Sequence, residues 1–284
     1  MFLAGASLAL LDAHLRCGPP AAGALRQRLA LKSAAATARI LRLNADEGAL
    51  RDLRFAVGDD PGPAARLLRL WARLAGRPPA LDGPRLLDVA AAFDLPAPNA
   101  DALEESLRVR GGEDPVSAAA RAAGYAFSLF PDAPAAEAEI LALWAFDLAI
   151  ALRLRWPRPL PLIATRILDP SLRSDGGGRL RPGDRAWLKA AAGAVALAAA
   201  SALDLAADLS RRSEILLAVA PKLRAKPAQR IVDRLLAEDC VSPAEAARSA
   251  PMTGRAARRL FDRLVLLGAA RELTGRPTFR LYGL

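Results

Sequence analysis

The chain has 284 residues, 53% apolar and 25% charged, enough for one large domain or a main domain with a smaller one appended. The apolar fraction excludes a disordered chain or a collagen-like one, and with only 21 Ile, Val and Thr against a large excess of Ala, Leu and Arg, a mainly α fold is expected. The net charge of +10 is unevenly placed: residues 1 to 210 carry 25 basic and 23 acidic side chains, residues 211 to 284 carry 15 and 7, so the last quarter is the part suited to an anionic partner.

The opening stretch MFLAGASLALLDAHLRCG is apolar but has no basic residue ahead of it, and Asp12, His14 and Arg16 stand where a leader would want a small-residue cleavage site. It reads as an amphipathic helix. Helical spacing of apolar residues predicts helices over 2–16, 22–43, 46–56, 62–75, 84–93, 99–110, 115–130, 135–154, 184–208 and 211–224, separated mostly by Gly and Pro clusters. Most connections are short, which favours antiparallel neighbours. After Trp156 the prolines at 157, 159 and 161 enforce an extended path, and the glycines at 176 to 178 mark the tip of a surface loop around 171–183. The longest apolar run, Ala190 to Leu203, is 14 residues. That is short of the ~20 a membrane span needs, so a soluble, cytoplasmic protein is expected. Cys17 and Cys240 lie 223 positions apart with no CxxC, which fits a reducing compartment.

The expected organisation is a helical domain over 1–210, a basic helix or linker over 211–226 and a small domain over 227–284. In the last, Pro227 opens a helix whose Ile231, Val232, Leu235 and Leu236 form one apolar stripe. Ser242-Pro243-Ala244-Glu245 reads as a capping box opening a short second helix that ends before Pro251. Thr253 caps a third, with Ala257, Leu260, Phe261, Leu264 and Leu267 facing inward and Arg255, Arg258, Arg259 and Arg263 pointing elsewhere. Leu273, Phe279 and Leu281 then alternate with polar residues around Gly275, which suggests a hairpin. Three helices and a hairpin in this order describe a winged helix-turn-helix.

On DNA, the third helix of such a module would enter the major groove with its first turn leading, bringing Arg255, Arg258 and Arg259 to phosphates or guanine edges. Arg263 extends the same basic face. Arg276 and Arg280 would serve the wing, and Thr253 a phosphate contact at the helix start. Asp262, among the arginines, opposes phosphate. A winged helix also serves elsewhere as a protein-binding module, so a scaffold or adaptor role, as in chromosome-partition accessory complexes, is the alternative.

No catalytic signature occurs: there is one histidine, His14, and no HExxH, GxGxxG or GxxxxGK[ST]. Acids in apolar surroundings are the remaining candidates. Asp147 is the only charged residue between Glu139 and Arg153, and Asp204 and Asp208 share a face of an alanine-rich helix. Convergence of these three would suit a metal-dependent enzyme, whereas structural pairing with arginines is the plainer reading. Glu47 and Arg51 have i,i+4 salt-bridge spacing. Trp71, Trp144, Trp156 and Trp187 read as core residues.

Three runs, LRLNADEGALRDLRF at 41–55, EAEILALWAFDLAIALRLRWPRPLPLIATRILDPSLR at 137–173 and SEILLAVAPKLRAKPA at 213–228, resemble a bacterial family of unknown function, domain of unknown function 1403, found chiefly in alphaproteobacteria. The resemblance spans nearly the whole chain and implies no catalytic residues. The tail from Ser249 to Leu284 looks like winged-helix tails of other bacterial proteins. The resulting expectation is a non-enzymatic, nucleic-acid-associated protein with no cofactor or metal, DNA as partner, and a helical domain that senses, recruits a protein or pairs with a second copy.

Overall fold

The computed structural model describes all residues except 56–61, 81–82, 97–100, 102–103, 106–111, 175, 224–226 and 277–278. The chain is mainly helical and divides into two compact units, one of Met1–Asp12 with Leu29–Ser201 and one of Ala13–Arg28 with Ala202–Leu284. The elements are α1 (Phe2–Arg16), α2 (Ala22–Ile40), α3 (Glu47–Arg54), α4 (Gly62–Gly76), α5 (Gly83–Ala91), α6 (Pro115–Ser128), α7 (Ala135–Arg153) and α8 (Trp187–Val219). They continue with α9 (Ala228–Ala237), α10 (Pro243–Ser249), α11 (Gly254–Leu266) and two short strands, β1 (Arg271–Glu272) and β2 (Tyr282–Gly283).

In the first unit, helix starts are set by side chains that satisfy orphan amides. Asp46 caps α3 by accepting from the Ala49 N–H at 2.8 Å, and Asp114 caps α6 by accepting from the Val116 and Ser117 N–H groups at 3.0 Å. Helix α7 is the centre: every residue from Ala138 to Ala151 is buried. Its neighbour α6 approaches through Ala118, Ala119, Ala122, Ala123 and Ala126, whose small side chains permit close packing. The four tryptophans are buried. Three place their N–H on an acceptor: Trp71 on Thr37 Oγ1, Trp156 on Asp12 Oδ1 and Trp187 on the Ala120 carbonyl. The proline-spaced segment after Trp156 tucks Leu160, Leu162, Ile163 and Ala164 into the core, and the loop beyond closes with a bridge between Arg173 and Arg179.

Some expected boundaries change. The helices expected over 184–208 and 211–224 are one 33-residue helix, α8. No glycine or proline stands at the expected joint, and Asp208 accepts from Arg211 at 3.3 Å and Arg212 at 2.7 Å across it, so the backbone ladder runs on. By length and composition Trp187–Lys222 could cross a membrane, and half of its most apolar window is buried in this fold. Helix α2 ends at Ile40, and Arg42 just beyond it lies in the left-handed region (φ 57°). The helix expected over 99–110 lies mostly outside the described residues.

The second unit gathers α9, α10, α11 and the strands with residues 13–28 from the start of the chain. Gly23 lies against the backbone of Ala237, so close that a Cβ there would sit 2.6 Å from the Ala237 Cα. Arg28 donates to the carboxylate of Asp239, a residue buried in the turn between α9 and α10. Strands β1 and β2 pair antiparallel in the register Arg271 with Gly283 and Glu272 with Tyr282. Val241, between α9 and α10, bridges Tyr282 antiparallel, each donating its N–H to the other's carbonyl at 2.8 and 3.0 Å.

Candidate nucleic-acid interface

Helix α11 carries most of the candidate residues, and its phase is set by the side chains it buries. Ala257, Leu260, Phe261 and Leu264 face inward, and the Phe261 ring stacks on Tyr282 of β2 with centroids 4.5 Å apart and an interplanar angle of 12°. Leu267, expected inward, is 40% exposed instead. It stands beyond the last helical residue as the C-cap, so the stripe has already passed it.

With that face buried, Arg255, Arg258, Arg259 and Arg263 are all exposed, and none has a carboxylate within ion-pair range among the described residues. At 100° per residue the four span about 140° of arc around the helix. Thr253 is exposed and caps the helix, its Oγ1 accepting from the Ala256 N–H at 3.2 Å. Asp262 lies within the arginine arc and is 3.8 Å from Arg280, which also lies 3.8 Å from Glu272. Tyr282 first, and then the Glu272 and Asp262 carboxylates, raise the Arg280 pKa above its ordinary value. Arg280 is therefore held against the protein, in contrast to the four on α11. Arg276 stands exposed beside Gly275, whose φ of +61° turns the hairpin. An open concavity of about 580 Å³ lies between the start of α10, Arg258 and Asp262 of α11, and Phe279 and Arg280.

The capping box is half formed. Ser242 Oγ accepts from the Glu245 N–H at 3.1 Å, but the Glu245 carboxylate pairs with Arg234 rather than reaching back to the cap. Arg234 also binds Glu238 at 2.8 Å and the Ser249 hydroxyl at 3.0 Å, so this one guanidinium ties α9 to α10. Two exposed arginines that sequence reasoning passed over, Arg230 on α9 and Arg248 at the end of α10, add to the cationic surface of the unit. Their signal was their place on the polar face of an amphipathic helix.

The three acids occupy different settings. Asp147 is fully buried in the first unit, and its two carboxylate oxygens accept from the Leu162 N–H at 2.9 Å and the Ile163 N–H at 3.1 Å. Burial pushes its pKa well above the ordinary carboxylate range, against the pull of the two amides. Its partners are thus backbone amides and not an arginine. Asp204 and Asp208 belong to the second unit, Asp204 exposed and Asp208 held below the usual range chiefly by its hydrogen bond to Arg212. Among the described residues no cluster of three His, Cys, Asp or Glu side chains could hold a metal ion. The i,i+4 pair of Glu47 and Arg51 forms, at 3.6 Å.

No curated protein matches the chain in sequence. The profile of a family described as "Protein of unknown function (DUF1403)" covers residues 1–284, and the chain belongs to that family.

Proposed function

We propose that α9, α10, α11 and the hairpin act as a winged helix-turn-helix that binds nucleic acid, DNA first, and that the protein is a non-enzymatic, cytoplasmic one. The observation that carries this reading is the set of four exposed guanidinium groups on α11, unpaired with any described acid, on a helix whose opposite face is packed. Like charges left this close repel one another, and a polyanion is the partner that relieves them. The order of elements supports it too, since the isolated bridge between Val241 and Tyr282 lies ahead of α10, at the place where a winged helix has its first strand.

A second reading has its own observation. Val265, Leu266 and Leu267 are 40%, 85% and 40% exposed at the end of α11, an apolar patch suited to docking on protein, as an adaptor would. One experiment separates the two: the intact chain is titrated into a fluorescent random-sequence duplex over a salt series, beside a variant with Arg255, Arg258 and Arg259 changed to Glu. Binding whose log affinity falls steeply with log salt and is lost in the variant supports nucleic-acid recognition. Absent or salt-insensitive binding rejects it in favour of the adaptor.

A further inference from the structure

The first unit holds an arginine-lined cavity far in sequence from the basic tail. Arg66, Arg69, Arg73 and Arg77 succeed one another along α4 and its end at spacings of three, four and four, which puts them in one stripe about 80° wide. Arg85 of α5 joins them at the rim, donating to the Pro78 carbonyl at 2.8 Å. Beneath the stripe the walls are apolar: Leu70 and Leu74 from α4, Val89 from α5, and Trp144 and Leu148 one turn apart on α7. Among the described residues Asp88 is the one acid in this lining.

Among the described residues the charge of the α4 row is poorly balanced. Arg66 lies 3.7 Å from Asp94, a carboxylate that is 85% exposed and weakly held, while Arg69, Arg73 and Arg77 have no ion pair among the described residues. The Arg66 Nε is buried and donates to no acceptor there. A row of guanidinium groups at i,i+4 spacing repels itself, and a buried donor without a partner costs free energy, so both features favour an anion in the cavity. The volume, about 160 Å³, sets the size of the body that can accompany the charge. It is close to the ~150 Å³ of an apolar cavity that takes up benzene.

We propose that this cavity binds a small organic anion: a carboxylate or phosphate ester, held by the α4 arginines, on an apolar body the size of one aromatic ring lodged against Trp144 and Leu148. The inference is independent of nucleic-acid binding by the carboxy-terminal unit. The test is calorimetric titration of the full chain with four probes at constant ionic strength: benzoate, phenyl phosphate, benzyl alcohol and inorganic phosphate. At least one ring-bearing anion is expected to bind about tenfold or more tightly than both benzyl alcohol and inorganic phosphate, and comparing benzoate with phenyl phosphate identifies the head group. The double variant Arg69→Gln, Arg73→Gln should lose about tenfold in affinity, and Ala92→Phe, which fills the cavity from its lining, should abolish binding. If the double variant fails to fold, Arg73→Lys keeps the charge while losing the bidentate geometry and should weaken binding measurably. The proposal is overturned if benzyl alcohol binds as well as the anions, if neither ring-bearing anion exceeds inorganic phosphate, if the folded variants bind like the native chain, or if a random DNA duplex displaces the bound anion.

Discussion

Phe261 of α11 and Tyr282 of β2 lie face to face, 12° from parallel, both shielded from solvent, and Tyr282 is also the residue that Val241 bridges. One aromatic pair thus fixes the arginine-bearing helix against the last strand. Tyr282→Ala should destabilise the protein by about 3 to 5 kcal/mol through the cavity it leaves. It should also weaken nucleic-acid binding in the fraction that remains folded, whereas Tyr282→Phe, which keeps the ring, should do much less. Denaturant unfolding and duplex titration of both variants check this, and equal losses from the two would contradict it.

Asp262 sits among the α11 arginines and holds Arg280 at 3.8 Å. Asp262→Asn removes a charge that repels phosphate and loosens Arg280, so duplex affinity should rise severalfold at low salt, with the gain shrinking as salt screens it. Unchanged or weaker affinity at every salt concentration would argue that this face does not meet phosphate.

Arg28 and Asp239 are both nearly buried, with side chains 11% and 6% exposed. Arg28→Ala should cost about 3 to 5 kcal/mol because it takes the guanidinium away from a buried carboxylate, and the double change Arg28→Ala, Asp239→Ala should recover part of that loss. Chemical denaturation of the two variants provides the comparison.

Gly23 leaves no room for a Cβ beside the Ala237 backbone. Gly23→Ala should lower stability by roughly 1 to 3 kcal/mol despite alanine's better helix propensity, because backbone on both sides must move apart. A thermal melt that matches or exceeds the native one would show that the two backbones leave room for a methyl group.

Asp147 titrates in the opposite sense to a paired surface acid. Its folded pKa is raised, so the folded state holds the proton more tightly than the unfolded chain does. The stability this contributes is complete below the unfolded value of ~3.9 and is lost as pH rises through the folded pKa. Asp147→Asn should cost about 1 to 3 kcal/mol, since its amide NH₂ would face a backbone N–H donor. That deficit relative to the native chain should shrink from acid toward neutral pH. Unfolding curves of both proteins across that range measure the trend, and a deficit that widens with pH would reject it.

The local parts of this molecule were legible in its sequence. Pro227, Ser242 and Thr253 mark where α9, α10 and α11 begin, because caps and first-turn prolines act on the nearest amides. Features set by distant residues were not. Arg28 and Asp239 are 211 positions apart, and Glu245 answers to Arg234 eleven residues upstream rather than to its own cap. The unbroken α8 was not legible as one helix, and the bonds from Arg211 and Arg212 to Asp208 that span the expected joint are seen only in the fold. Of the candidate site, the outward phase of Arg255, Arg258, Arg259 and Arg263 could be read from the apolar stripe alone, while the tether on Arg280 needed the fold of the hairpin. The arginine row on α4 was visible as spacing, but much of its apolar floor is supplied by α5 and α7, which only the fold brings beneath it.

Because Ala13–Arg28 belongs with Ala202–Leu284, the carboxy-terminal unit is not contiguous in the gene. A fragment beginning at Pro227 would carry Asp239 away from Arg28 and uncover the backbone that Gly23 closes upon. Anyone wishing to transplant this unit to another protein would have to carry the early segment along, stitched in by a linker, or the excised tail would arrive with that counter-ion left behind.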